Sequence, residues 1–136
     1  MSTYISAPLR RFVAERADFR CEYCRIFDND SYFSFHIDHI ISIKHGGITS
    51  EENLAYACQI CNLNKGTDIY TFLDNPDEPI RFFHPRKDVW STHFYIDVSG
   101  EIIPRTSIAE ASLKILDLNH PESIIERKEM IHLGIF

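Results

Sequence analysis

Residues 58–66 read C-Q-I-C-N-L-N-K-G, and residues 21–24 read C-E-Y-C. The chain has 136 residues and four cysteines, and all four fall in these two C-x-x-C pairs. Two thiolates three residues apart can bend onto one ion from a tight turn, and two such turns complete the tetrahedral four-sulfur shell of a structural Zn²⁺. Cys21, Cys24, Cys58 and Cys61 are therefore read as zinc ligands. Two disulfides are the bland alternative. Residues 1–20 contain no apolar signal-peptide core, and no run approaches the roughly 20 apolar residues that span a bilayer. The expected setting is cytoplasmic, without membrane attachment, where disulfides are rare. A thioredoxin-like redox role for one pair would leave the second unexplained.

Outward from the cysteines, the chain carries a dense polar cluster: Asp38-His39, Asn53, Asn62 and Lys65. Cutting a phosphodiester needs a base to activate an in-line water, charge at the phosphoryl oxygens and help for the leaving oxygen. An imidazole is the usual general base near neutral pH, so His39 suits the role. Asp38 and the amide oxygen of Asn62 are hard oxygen donors suited to Mg²⁺, which keeps several waters. Asp38 and His39 are neighbours on a strand, so their side chains should leave opposite faces and serve one centre only where the strand twists or ends. Lys65, one helical turn after Asn62, would direct a charge toward the same phosphate. Asn53 would anchor the Gly46-Gly47 loop or orient His39.

The local patterns place these residues. Ser6 caps a helix entered through Pro8, with Leu9, Phe12, Val13 and Ala17 at helical spacing, running to about Arg20. Arg10, Arg11 and Arg16 then fall on its outer side and read as solvated. Tyr32 to Ile41 reads as a strand, Gly46-Gly47 as a turn and Leu54 to Ala57 as a second strand. A short helix should start at Asn62, break at Gly66 and resume toward Leu73. Beyond the Pro76/Pro79 loop, His93 to Val98 reads as a strand with Phe94, Ile96 and Val98 on one face, returning as a hairpin through Glu101 to Pro104. Ser107 with Glu110 forms a capping box opening a helix to Leu118, and Asn119 with Pro121 opens another ending at Gly134.

These residues resemble the HNH endonucleases with the ββα-metal fold. The likeness rests on C-E-Y-C at 21–24, I-D-H-I-I at 37–41, H-G-G at 45–47, E-N-L at 52–54 and C-x-x-C-N-x-x-K-G at 58–66, and it covers about half the chain. It implies that His39 is the general base, that Asp38 and Asn62 hold a catalytic Mg²⁺ or Mn²⁺, that Asn53 supports the His39 loop, and that the cysteines hold zinc. It also implies DNA as substrate and a 5′ phosphate as product. Asn62 stands where the founding pattern has its last histidine. The segments F-F-H-P-R at 82–86 and W-S-T-H-F at 90–94 are similar to extensions of small stand-alone bacterial members. The expected fold class is α+β, a single domain over 1–136. Residues 1–75 would form the zinc-stapled ββα-metal core with its N-terminal helix, and residues 76–136 a β-hairpin and two helices.

Charge limits how nucleic acid can be met. The net charge is −6. Residues 1–66 hold 7 Lys and Arg against 8 Asp and Glu, and residues 67–136 hold 7 against 12, so any polyanion site belongs near the first half. His45, Arg86 and Lys87 are the candidate nucleic-acid contacts outside the cluster. His84 belongs to the same basic knot around Pro85, and a turn-stabilising role fits that knot equally well. His36 reads as a packing or surface residue. Trp90, His93 and Phe94 could stack a base, but a single Trp at the start of an alternating strand reads as core. Two readings compete with the nuclease: a catalytically silent, zinc-stabilised nucleic-acid-binding module, and a nuclease subunit that depends on a protein partner or a homodimer. A protein–protein module using zinc only for stability would leave the Asp38, His39 and Asn62 set as coincidence.

Overall fold

The computed structural model describes residues 4–28 and 34–136. Helix α1, Ala7–Arg16, is capped by Ser6, whose hydroxyl accepts from the Leu9 N–H at 3.3 Å, with Pro8 in the first turn. The helix stops at Arg16 rather than near Arg20, because Asp18 and Phe19 turn the chain with φ of 53° and 57°. Val13, Ala14 and Ala17 pack with Ile5 on Leu54 and Tyr56. Phe12 remains exposed, with the Arg16 guanidinium 5.1 Å from its ring centre.

Strands β1, His36–His39, and β2, Leu54–Ala57, pair antiparallel, with His36 opposite Ala57 and His39 opposite Leu54. The expected beginning of the first strand, Tyr32 and Phe33, lies outside the described residues. Between the strands run two single 3-10 turns, Ile43–His45 and Glu51–Asn53. Helix α2 is Gln59–Lys65, beginning three residues before Asn62 because the Cys58 sulfur caps it by accepting from Cys61 N–H.

No helix resumes after Gly66. The chain instead forms a hairpin, β3 Tyr70–Phe72 with β4 Pro79–Arg81. Trp90–His93 is a short helix α3, and only Phe94–Ile96 is the strand β5, paired with β6, Ile102–Pro104. Val98 is thus outside the strand and 88% exposed. Helix α4, Ser107–Leu116, is capped by Thr106, not Ser107; its hydroxyl accepts from Ala109 N–H at 3.1 Å. Helix α5, Pro121–His132, is capped by the His120 ring, not Asn119. Asn119 instead binds the N–H and C=O of Ile102, at 2.8 and 2.9 Å.

The architecture is α+β, three two-stranded hairpins among five helices in the described residues. One apolar cluster runs from the four cysteines and Tyr23 through Phe82, Phe83 and Phe94 to Leu116 and Leu118. Trp90 is half-buried against Phe94, ring centres 4.9 Å apart, and its indole N–H donates to Tyr23 O at 2.9 Å. Arg127 is fully buried, and its guanidinium donates to Gly100 O, Cys24 O, Leu118 O and Asn119 Oδ1 at 2.7 to 3.1 Å. A buried cation is tolerated only when its donors are used, and here it ties α5 to the first cysteine turn. Among the described residues no helix is long and apolar enough to cross a membrane.

Candidate active site and metal centre

The two C-x-x-C turns fold alike. Cys24 N–H points at Cys21 Sγ, and Cys61 N–H at Cys58 Sγ, each at 3.4 Å. All four sulfurs are buried and lie within 4.8 Å of one another, and Cys24 Sγ stands 3.6 Å from Cys58 Sγ. A tetrahedral shell with Zn–S near 2.3 Å requires sulfurs about 3.8 Å apart, so the four thiols fit one zinc ion. None is in a disulfide. Burial, reinforced by hydrogen bonds to Cys21 and Cys58, pushes the Cys24 thiol well above its ordinary value. A dication is the natural counterweight for thiolates at such a site.

Asp38 and His39 leave opposite faces of β1, as alternation requires. Asp38 turns inward with Ala55 and is 5% exposed. Its Oδ2 accepts from the Tyr23 hydroxyl at 2.8 Å, and the Lys65 ammonium lies 3.3 Å from Oδ1 and 3.2 Å from Oδ2. Burial raises the Asp38 carboxyl above the usual carboxylate range, opposed by Lys65 and the Tyr23 bond. Lys65 is itself 2% exposed and also donates to His39 O and Ile40 O at 3.2 and 2.9 Å. It therefore braces the end of β1 and does not reach outward to a phosphate, contrary to the sequence expectation. Its donors find partners within the fold, which lets a charge stay buried. Asn62 is half-buried on α2, one turn before Lys65 and on the same helix face.

His39 is half-buried at the end of β1, on the Leu54 side of the hairpin, and its Nε2 lies 2.9 Å from Thr49 Oγ1. Asn53 fixes the loop between these residues: its Oδ1 accepts from Ile41 N–H, and its Nδ2 donates to Ile41 O and Ile48 O, all at 2.9 Å. Gly47 passes under this clamp. A Cβ there would lie 1.7 Å from Ile41 O and 2.8 Å from Asn53 Nδ2, so no larger residue fits.

The outlying candidates divide. His45 and Lys87 are exposed, and His36 is half-buried beside Asp38 on the inner face. Arg86 is not a free nucleic-acid contact, because it is ion-paired with Glu22, whose other oxygen accepts from Tyr56 N–H at 2.8 Å. Burial and nearby Arg16 lower the Arg86 pKa to about 10. Arg16 is also not simply solvated: it donates to Glu51 O and Leu54 O at 2.9 and 2.7 Å. Together Arg16 and Glu22 close the edge of β2 that β1 leaves open. His93 Nδ1 lies 2.6 Å from Thr106 Oγ1, a structural link between α3 and the cap of α4.

Residues 21–68 match the family model described as HNH endonuclease. That segment is similar to the HNH endonuclease domain. The matched span begins at the first cysteine and ends just beyond α2, so it encloses both cysteine pairs, the β1–β2 hairpin and Lys65. No curated protein and no solved structure gives a significant match to the chain. Sequence reasoning missed three partners of the HNH segment. Tyr23, inside the first C-x-x-C, was detectable in part, since a tyrosine between two buried cysteines is itself drawn inward and its hydroxyl then needs an acceptor. Thr49 and Glu22 gave no signal, because their partners lie 10 and 34 residues away.

Proposed function

We propose that this chain is a divalent-metal-dependent endonuclease that hydrolyses DNA phosphodiester bonds, with His39 as general base and Asp38 and Asn62 as protein ligands of the ion. The observation that carries this reading is the setting of His39 within the HNH segment. The 2.9 Å contact between Nε2 and Thr49 Oγ1 fixes the orientation of the imidazole, and in the tautomer that donates from Nε2 the Nδ1 lone pair is kept for a water proton. Lys65 on the His39 carbonyl and Asn53 on the Ile41 backbone hold the strand end that presents the ring. Such bracing limits misplacement of the base, to which rate is sensitive.

The donor set of Asp38 and Asn62 suits Mg²⁺ or Mn²⁺ in kind, both being hard oxygen ligands. A bound ion would supply Lewis-acid charge at the phosphoryl oxygens. In this structure the Asp38 carboxylate is held by Lys65 and Tyr23, so loading an ion requires the Lys65 ammonium to yield its place. That engagement makes the silent nucleic-acid-binding module the second reading, and the net charge of −6 counts against tight passive binding by it. Incubating zinc-loaded protein with supercoiled plasmid and Mg²⁺ or Mn²⁺, beside EDTA and His39→Ala controls, separates the two. Nicking by the wild type alone supports the nuclease. Cutting that survives in His39→Ala removes His39 as base, and a loaded, folded wild type that binds but never cuts leaves the silent module.

A further inference from the structure

We propose that a cavity beside the end of β1 receives one unpaired nucleotide of the DNA strand, its base against apolar walls and its phosphate toward Lys87. The proposal rests on the nuclease reading, since it places this nucleotide next to the phosphate attacked at His39. The cavity measures about 190 Å³ and begins one residue after His39, with Ile40 and Ile41 in one wall. Drug-sized pockets run to roughly 300–1,000 Å³, so this one suits a single ring system. Phe82, Phe83 and Ile69 complete the apolar lining.

The polar lining selects for a base carrying a phosphate. Lys65 is neutralised by Asp38, and Arg81 by a two-pronged pair with Asp88 at 2.7 and 2.9 Å. Lys87 is exposed and forms no ion pair among the described residues, so it is the one lining cation left for a phosphate. His84 also lines the cavity and is neutral in character. Its Nδ1 accepts from the N–H groups of Arg86 and Lys87 at 3.1 and 3.3 Å, which leaves the ring proton on Nε2. Burial, with Lys87 nearby, lowers its pKa and keeps it in that form. A neutral N–H donor beside apolar walls matches the hydrogen-bonding edge of a base. An aliphatic ligand would leave that donor unpaired. Unpaired bases held in pockets are a general solution for enzymes that handle single strands or distorted duplexes.

The test is an amide NMR titration of the zinc-loaded full chain. The probes are 2′-deoxyadenosine 5′-monophosphate, deoxyribose 5-phosphate, and a T-A-T trinucleotide with and without its central base. The proposal expects shifts centred on residues 40–41 and 81–87 for the mononucleotide and the intact trinucleotide. Ile69→Trp, which fills the cavity, should weaken both by about tenfold or more, and Lys87→Ala should weaken them less. Equal binding of deoxyribose 5-phosphate, or of the abasic trinucleotide, overturns the proposal. So does undiminished binding by a natively folded Ile69→Trp, with Ile41→Trp as the second filling variant should the first not fold. Mononucleotide binding without binding of the intact trinucleotide also overturns it, since the site would then serve a free nucleotide. Plasmid cleavage is scored separately: cleavage without nucleotide binding sinks this inference alone, and binding without cleavage sinks the nuclease reading alone.

Discussion

Residues 21–66 and residues 67–136 solve the problem of a small fold in different ways. The first region has two four-residue strands and one seven-residue helix, and its interior mixes four thiols, Glu22, Asp38 and Lys65 with a few apolar side chains such as Tyr23, Ile40, Leu54 and Tyr56. So small an apolar interior does little to offset the chain entropy of ordering it, and the four-cysteine cluster is compatible with a zinc ion that would supply what packing does not. The second region buries Phe82, Phe83, Phe94, Ile102, Leu116, Leu118 and Met130, an ordinary apolar core. Its one buried cation, Arg127, reaches back to Cys24 O and joins the two. The candidate site thus lies where the fold relies on the cysteine cluster and on buried polar bonds. The hydrophobic part serves as the platform.

Removing zinc should break this contrast most sharply. A structural zinc contributes about 10–16 kcal/mol in small modules, as much as the whole stability of a typical domain. Treatment with a tight chelator, or Cys24→Ser, is expected to collapse the amide dispersion of residues 21–66 in NMR spectra. Dispersion that survives with zinc absent would show that packing alone holds the region.

Arg127→Met comes next. It strips donors from three buried carbonyls and from Asn119, and should cost about 3–5 kcal/mol in urea unfolding. A loss below 1 kcal/mol, within the scatter of surface changes, would mean that the join between the regions is apolar alone.

Lys65→Met leaves Asp38 buried beside only Tyr23 and should cost about 3 kcal/mol at neutral pH. The folded-state carboxyl is already raised, so the native state holds its proton more tightly than the unfolded chain, and stability falls as pH rises through that window. Acidification should therefore narrow the gap between variant and wild type, as read from melting curves at stepped pH. A gap that widens on acidification would contradict the assignment.

The smallest effect lies in the second region. Hydrogen bonding from Arg81 lowers the Asp88 carboxyl from 3.8 to about 2. A depressed pKa contributes stability that is fully present above the ordinary value and lost as pH falls toward 2. Because Arg81 is half exposed, solvent screening limits the contribution to about 1 kcal/mol or less. Asp88→Asn should flatten that part of the acid-denaturation curve, as read by circular dichroism at stepped pH.

Much of the first region was legible because its signals are local. The cysteine pairs and the β-rich runs before His39 and after Asn53 each act within a few residues, as do Ser6 and Pro8 in the helix that precedes the region. The β3–β4 hairpin was not legible: Tyr70–Phe72 and Pro79–Arg81 are three residues each, too short for an alternation to register. Thr106 displaced Ser107 as a cap because its hydroxyl also meets His93, a partner 13 residues away.

The sequence by itself determined the pairing of the four cysteines into two turns and the hairpin that carries Asp38 and His39, since each follows from spacing or local pattern. Only the tertiary structure decided where the charges go. Lys65 turned inward to Asp38 and two carbonyls, Arg86 to Glu22, Arg16 to the open edge of β2, and Arg127 to the first cysteine turn. The physical reason is that a long cationic side chain has no preferred direction of its own. It goes where buried acceptors would otherwise lack a donor, and those acceptors come together only when distant segments pack.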